Sequence, residues 1–136
     1  MDDDELTIRI CDLLAEIPEW AWKPNGPAYT AAEVGIFYGT ILAAPDRAVG
    51  VRVYGGTDGD VAMRRVQLRF RGAKQSVNSA DQLAGAAKRH LHMLARRSLI
   101  SLAIRTSFSP LGADSNAREE RADNYQIILD NPEAST

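Results

Sequence analysis

Arg64-Arg65-Val66-Gln67-Leu68-Arg69-Phe70-Arg71-Gly72 is the stretch on which the fold turns. Val66, Leu68 and Phe70 alternate with Arg65, Gln67, Arg69 and Arg71, the period-2 signature of a strand with one buried face and one polar face. It is the clearest such segment in the chain. Working outward, Val49, Val51 and Val53 alternate with Gly50 and Arg52, which predicts a strand over Arg47–Tyr54. Gly55-Gly56-Thr57-Asp58-Gly59-Asp60 reads as a glycine-rich turn, and its Asp-Gly step is a strong hairpin signal. A shorter strand over Gly35–Gly39 is set off by the turn Ala44-Pro45-Asp46.

Two helices frame these strands. Over residues 3–17, Leu6, Ile10, Leu13, Leu14 and Ile17 share one helical face, acidic residues fill the first turn, and Pro18 marks the exit. Over residues 80–97, Leu83, Ala87, Leu91 and Leu94 form the apolar stripe with His90 beside it; Ser79-Ala80-Asp81-Gln82 fits a capping box. Lys88, Arg89, Arg96 and Arg97 then fall in the last turns. Residues 18–35, rich in proline and carrying Trp20, Trp22 and Tyr29, read as a loop whose aromatics pack onto the core. Ile100, Leu102 and Ile104 predict a strand at 99–106, Ser107–Asp123 a long polar loop, Tyr125–Leu129 a last strand, and 131–136 a disordered tail.

The expectation is one α+β domain over residues 1–130: a mostly antiparallel or mixed sheet of about five strands, with two helices packed on one face. With 136 residues there is room for one ordinary core and no more. A single cysteine, Cys11, excludes an internal disulfide and fits a reducing compartment. The acidic start is unlike a signal peptide, and no apolar run approaches the ~20 residues of a membrane span.

Chemistry is sought and not found. His90 and His92 are two apart and point to different helix faces, half-buried and solvated respectively; Asp58-Gly59-Asp60 lacks the further ligands of a calcium loop; no nucleophile elbow or phosphate loop is present. The reading is therefore non-enzymatic, without cofactor or metal. Charge is the more informative signal. Residues 1–46 carry two basic and nine acidic side chains, 47–97 eleven and three, and 98–136 three and six. Blocks of opposite sign neutralise each other within one fold or pair between neighbouring copies, and the sequence leaves both open. Arg65, Arg69 and Arg71 on one strand face would also suit phosphate, but the acidic pI of about 5.7 and the lack of interleaved aromatics weigh against nucleic acid.

An ordered series of segments carries a family resemblance. Gly35-Ile36-Phe37-Tyr38-Gly39, Ala44-Pro45-Asp46-Arg47-Ala48-Val49 and Val51-Arg52-Val53-Tyr54 resemble the first strands of the tail terminator, or minor capsid, proteins of long-tailed bacteriophages. Arg64–Gly72 is similar to their next strand. Pro110-Leu111-Gly112, Asp114-Ser115-Asn116, Arg118, Glu120-Arg121 and Asn124-Tyr125 resemble their C-terminal loop and final strand. The resemblance spans about residues 5–130. It departs at Ala117, where glycine is expected, and at Trp20 and Trp22, where a shorter segment is usual.

The resemblance implies a virion protein, made in the bacterial cytoplasm, that forms a ring, usually a hexamer, on a finished tail tube. Such a ring ends tube polymerisation and offers the head-joining surface. Its implied partners are further copies of itself, the tail tube protein and a head–tail connector protein, with a non-specific DNA contact as a rival and no membrane. The candidate interface residues are Arg52, Arg65, Arg69, Arg71, Arg96, Arg97, Asp114, Asn116, Arg118, Glu120 and Arg121. Another neck protein, a head-completion stopper or adaptor, is the alternative reading, followed by a DNA-binding module.

Overall fold

A computed structural model describes residues 1–130; the expected tail at 131–136 lies outside the described residues. Helix α1 spans Asp3–Leu14, where Asp2 caps the first turn by accepting from the Glu5 amide at 2.7 Å. Leu6, Ile10, Leu13 and Leu14 are buried along its apolar stripe, while Ile17 falls in the turn beyond. The strands follow as β1 (Trp20–Trp22), β2 (Val34–Tyr38), β3 (Ala48–Asp58) and β4 (Ala62–Lys74). After helix α2 (Ser79–Leu91) come β5 (Ala95–Arg97), β6 (Ile100–Ala113) and β7 (Arg118–Leu129).

All seven strands join one sheet in the order β1-β2-β3-β4-β7-β6-β5. The β1–β2 and β2–β3 pairings are parallel and the remaining four are antiparallel. The sheet curls into a half-barrel and dominates the molecule. This corrects the expected α+β layer of five strands with two helices on one face. The miss has three local sources, each with its own physical cause.

The first is the expected loop at 107–123, which is the far half of a β6–β7 ribbon. Thr106–Ala113 are exposed on both faces, so no buried face exists to print an alternating pattern on them. The second is the expected helix at 80–97. It stops at Leu91, and Met93 takes a left-handed φ of 66°, which turns the chain into edge strand β5. Leu94 still packs against the core, from the turn instead of a helix face. The third is the stretch 18–35, in which Trp20–Trp22 pair with Val34–Ile36 as a strand. Buried Trp20 meets Phe70 edge-on, ring centroids 6.5 Å apart, which is the core packing expected of it.

Two smaller corrections bear on the interior. Ser79 is not the cap of α2; Asn78 holds that position, and Ser79 Oγ instead accepts from the Ala73 amide at 2.9 Å, tying α2 to the end of β4. His92 is not simply solvated: its Nδ1 accepts from the Arg105 amide at 3.0 Å. Elsewhere the alternation of β4 holds, with Val66, Leu68 and Phe70 in the one core cluster beside Leu6, Ile10, Leu83, Ala87, Leu91, Tyr125 and Ile127. Each large apolar side chain buried there contributes roughly 1.5–3 kcal/mol. The Asp58–Ala62 connection closes the β3–β4 hairpin, and Gly55 and Gly56 belong to β3 around a register shift after Val53.

Candidate assembly surface

The face of β4 opposite the core organises the site. Register places Arg52, Gln67, Asn124 and Ser107 side by side across β3, β4, β7 and β6. Asn124 Nδ2 donates to Ser107 Oγ at 3.0 Å, and Gln67 lies 3.5 Å from Asn124 Oδ1. Arg65 stands on one side of this polar row, opposite Gln126, and Arg69 on the other, opposite Ala122. An open cleft of about 480 Å³ lies along it, bordered by Gly39–Ile41, Arg52, Arg69 and Glu120. Gly50 lets the chain cross there, since a Cβ would run into the Gly39 carbonyl oxygen.

The candidate residues divide by what they already hold. Arg71 is only 6% exposed. Its guanidinium donates to the carbonyls of Leu42, Pro45 and Asp46 at 2.8, 2.6 and 2.9 Å. Arg118, equally buried, donates to the Ala43 carbonyl at 2.9 Å and to Asp114 Oδ2 at 2.9 Å, and pairs with Asp46 at 3.2 Å. Together the two arginines hold the 42–46 loop. Burial pulls the Arg71 pKa below its ordinary value, with the charge of Arg118 adding to the pull; saturation by carbonyls is what makes such a position tenable.

Asp114 organises the β6–β7 turn. Its Oδ1 accepts from the amides of Asn116 and Arg118 at 2.9 and 3.0 Å. Desolvation acts to raise its pKa, yet these amides and the Arg118 guanidinium hold it below the ordinary carboxylate value. Ala117, where glycine was expected, takes a left-handed φ of 57°. Asn116 sits exposed at the tip.

Arg121 lies on the other face of β7, paired with buried Asp123 at 2.7 Å and Asp81 at 3.0 Å, and stacked over Phe108 at 4.4 Å. Arg96 and Arg97 sit on edge strand β5, away from the row; Arg97 pairs with Glu16. Glu120 pairs with Arg69 at 3.2 Å.

The opposed charge blocks are thus partly spent inside the molecule, through Arg64–Asp3, Arg97–Glu16, His90–Glu16 and Arg118–Asp46. Among the described residues, no carboxylate lies within ion-pair distance of Arg52, Arg65 or Arg96. Arg52, Arg65 and Arg69 therefore form the accessible cationic part of the outer face, with Gln67, Asn124 and Ser107 as the polar lining that the sequence reading passed over. Asn124 had been visible only as part of the family resemblance, and Gln67 only as one beat of an alternation. No group of three or more His, Cys, Asp or Glu among the described residues could hold a metal ion, and no helix there is long and apolar enough to cross a membrane.

Comparison with known proteins accords with this architecture. No curated protein matches the chain. Among solved structures, a chain from the virion of a native gene transfer agent particle superposes with a TM-score of 0.52 at 8% identity, covering 71% of this chain and 78% of that one. At that identity the likeness concerns the fold alone. The family model described as bacteriophage tail terminator protein matches residues 14–131, nearly everything from the end of α1 through β7. This chain belongs to the bacteriophage tail terminator family.

Proposed function

We propose that the protein is a structural subunit of a phage-like virion, forming a ring of six copies on the end of a completed tail tube. The ring stops tube growth and presents the surface to which the head connector joins. The observation that carries this reading is the family match over residues 14–131. The surface is compatible with it. A cyclic ring brings two unlike patches of one subunit together, and Arg52 and Arg65 remain available for such a contact once the internal ion pairs are made. The proposed partners are further copies of the chain, the tube protein and a connector protein.

Adding the protein to growing tail tubes is the direct test. Tubes of limited length, each bearing a ring at one end, are expected; overlong, bare-ended tubes in its presence would sink the reading. A stopper or adaptor role on the portal side is the second reading. A DNA-binding role draws on Arg52, Arg65 and Arg69, but Glu120 already engages Arg69 and the chain is acidic overall. It requires retention on duplex DNA that falls steeply as salt rises.

A further inference from the structure

Besides the outer edges of the terminal strands β1 and β5, two inner strands have stretches of edge with no backbone partner among the described residues, and they lie on opposite sides of the sheet. β2 pairs with β3 only as far as Val51, whose carbonyl accepts from the Gly39 amide at 2.8 Å. From Val53 outward β3 has an open edge, with the Thr57 carbonyl taken by the Arg64 side chain. On the far side, β5 and the Met93–Leu94 turn cover β6 as far as Ala103, and His92 takes the Arg105 amide. From Thr106 to Ala113 β6 is open.

Exposed edges normally carry charges, above all lysine, that discourage pairing with other chains. Neither of these does: Val53-Tyr54-Gly55-Gly56 and Thr106-Ser107-Phe108-Ser109-Pro110-Leu111-Gly112-Ala113 contain no Asp, Glu, Lys, Arg or His. They display Tyr54, Phe108 and Leu111 at 50%, 54% and 46% exposure. Phe108 is held in place by Arg105 and Arg121, whose guanidinium carbons lie 4.8 and 4.4 Å from its ring centroid. A large aromatic fixed in one position loses little freedom when a partner covers it. Pro110, which lacks an N–H, confines uninterrupted pairing to the four residues Thr106–Ser109. That run equals the length of Val53–Gly56.

Strand directions fit as well. β3 is antiparallel to β4, β4 to β7 and β7 to β6, so β3 and β6 run in opposite senses. A second copy in the same orientation thus offers its β6 antiparallel to the first copy's β3. The two edges differ, so the contact is head-to-tail, the type that closes into rings. They also lie at different levels of the sheet, so each copy steps along the strands relative to the last, as strands do in closed barrels.

We infer that the occupant of the open β6 edge is a second copy of this chain: Thr106–Ser109 of one subunit pairs antiparallel with Val53–Gly56 of the next, so that the ring is one continuous sheet. This rests on the ring reading above and names the contact that builds the ring.

The test uses a chain carrying Gly55→Cys and Ser107→Cys, the two positions that face each other in this pairing and where a Cβ on Gly55 has room, assembled on its tail tubes and treated with a short bis-maleimide. Native Cys11 is buried, and the parent chain serves as the blank. A ladder of covalent multimers is expected from the double variant, and none from either single variant. Capped tubes without a ladder would overturn the edge contact while leaving the ring reading intact. If the parent chain fails to cap tubes at all, the ring reading and the contact fall together. Hydrogen exchange on the unaltered protein gives an independent measure, free of any effect of the cysteines on folding: those amides of 53–56 and 106–109 that point away from β4 and β7 should slow about ten-fold or more on assembly, and unchanged rates there would refute the pairing.

Discussion

Arg65 and Arg71 stand on the same face of the same strand, six residues apart, and do opposite things. Arg65 is exposed with no carboxylate of the described residues in reach, whereas Arg71 is buried and held by four carbonyls of the 42–46 loop. Alternation put both on the polar face, but it says nothing of what chain comes to lie over that face. One end of β4 is open surface; the other is the floor beneath a loop. Arginine serves both ends because its donors can be spent on water and partners or on fixed carbonyls.

That difference makes definite predictions. Arg71→Ala should cost about 3 kcal/mol or more of folding stability in urea melts, because it strips charge-assisted bonds and leaves several loop carbonyls unsatisfied. Arg71→Lys should recover only part of the loss, since one ammonium cannot reproduce the guanidinium fork. Arg65→Ala and Arg52→Ala should shift stability by no more than about 0.5 kcal/mol, while reducing tube capping. Equal destabilisation by Arg65→Ala and Arg71→Ala would erase the distinction between the two ends of the strand.

Arg118→Ala should rank next, at about 2–3 kcal/mol, because it releases the same loop and also the β6–β7 turn. Ala117→Gly should raise stability by up to about 1 kcal/mol, by relieving a left-handed position that glycine adopts freely; the greater chain entropy of unfolded glycine trims the gain. A loss of stability there would mean the alanine methyl is wanted in the turn.

Asp114 supplies a pH test. Its folded pKa is depressed, so its stabilising contribution is complete above the unfolded value near 3.8 and disappears as pH falls through the lower folded value. Acid should therefore loosen the β6–β7 tip first, seen as faster exchange of the Asn116 and Arg118 amides, and Asp114→Asn should remove that pH dependence. Smallest in consequence, the Cys11 thiol, pushed up to about 12 mainly by burial, should resist thiol reagents at pH 8 until the protein unfolds.

The β3–β4 and β6–β7 ribbons show what the sequence made legible. β4 lies over a full core, so Val66, Leu68 and Phe70 had to be apolar and the strand could be read directly. The outer half of β6 lies over nothing, so threonine, serine, proline and glycine were permitted there and imitated a loop. In the same way, the apolar spacing of α2 ran on through Leu94, because a turn can deliver a leucine to the core as well as a helix can. Charge was legible as blocks, but not as pairs.

The sequence by itself determined the apolar faces of α1, α2, β3 and β4, the β3–β4 hairpin and the family, since each of these is written in local periodicity or in an ordered run of residues. The tertiary structure alone decided which arginines are free. Arg71 finds its carbonyls 25 to 29 residues away and Arg118 reaches Ala43 75 residues away. Arg52 and Ser107 become members of one row only because four strands align. Hydrogen bonds and strand register of this kind depend on closing long loops, and no local pattern records which loops close.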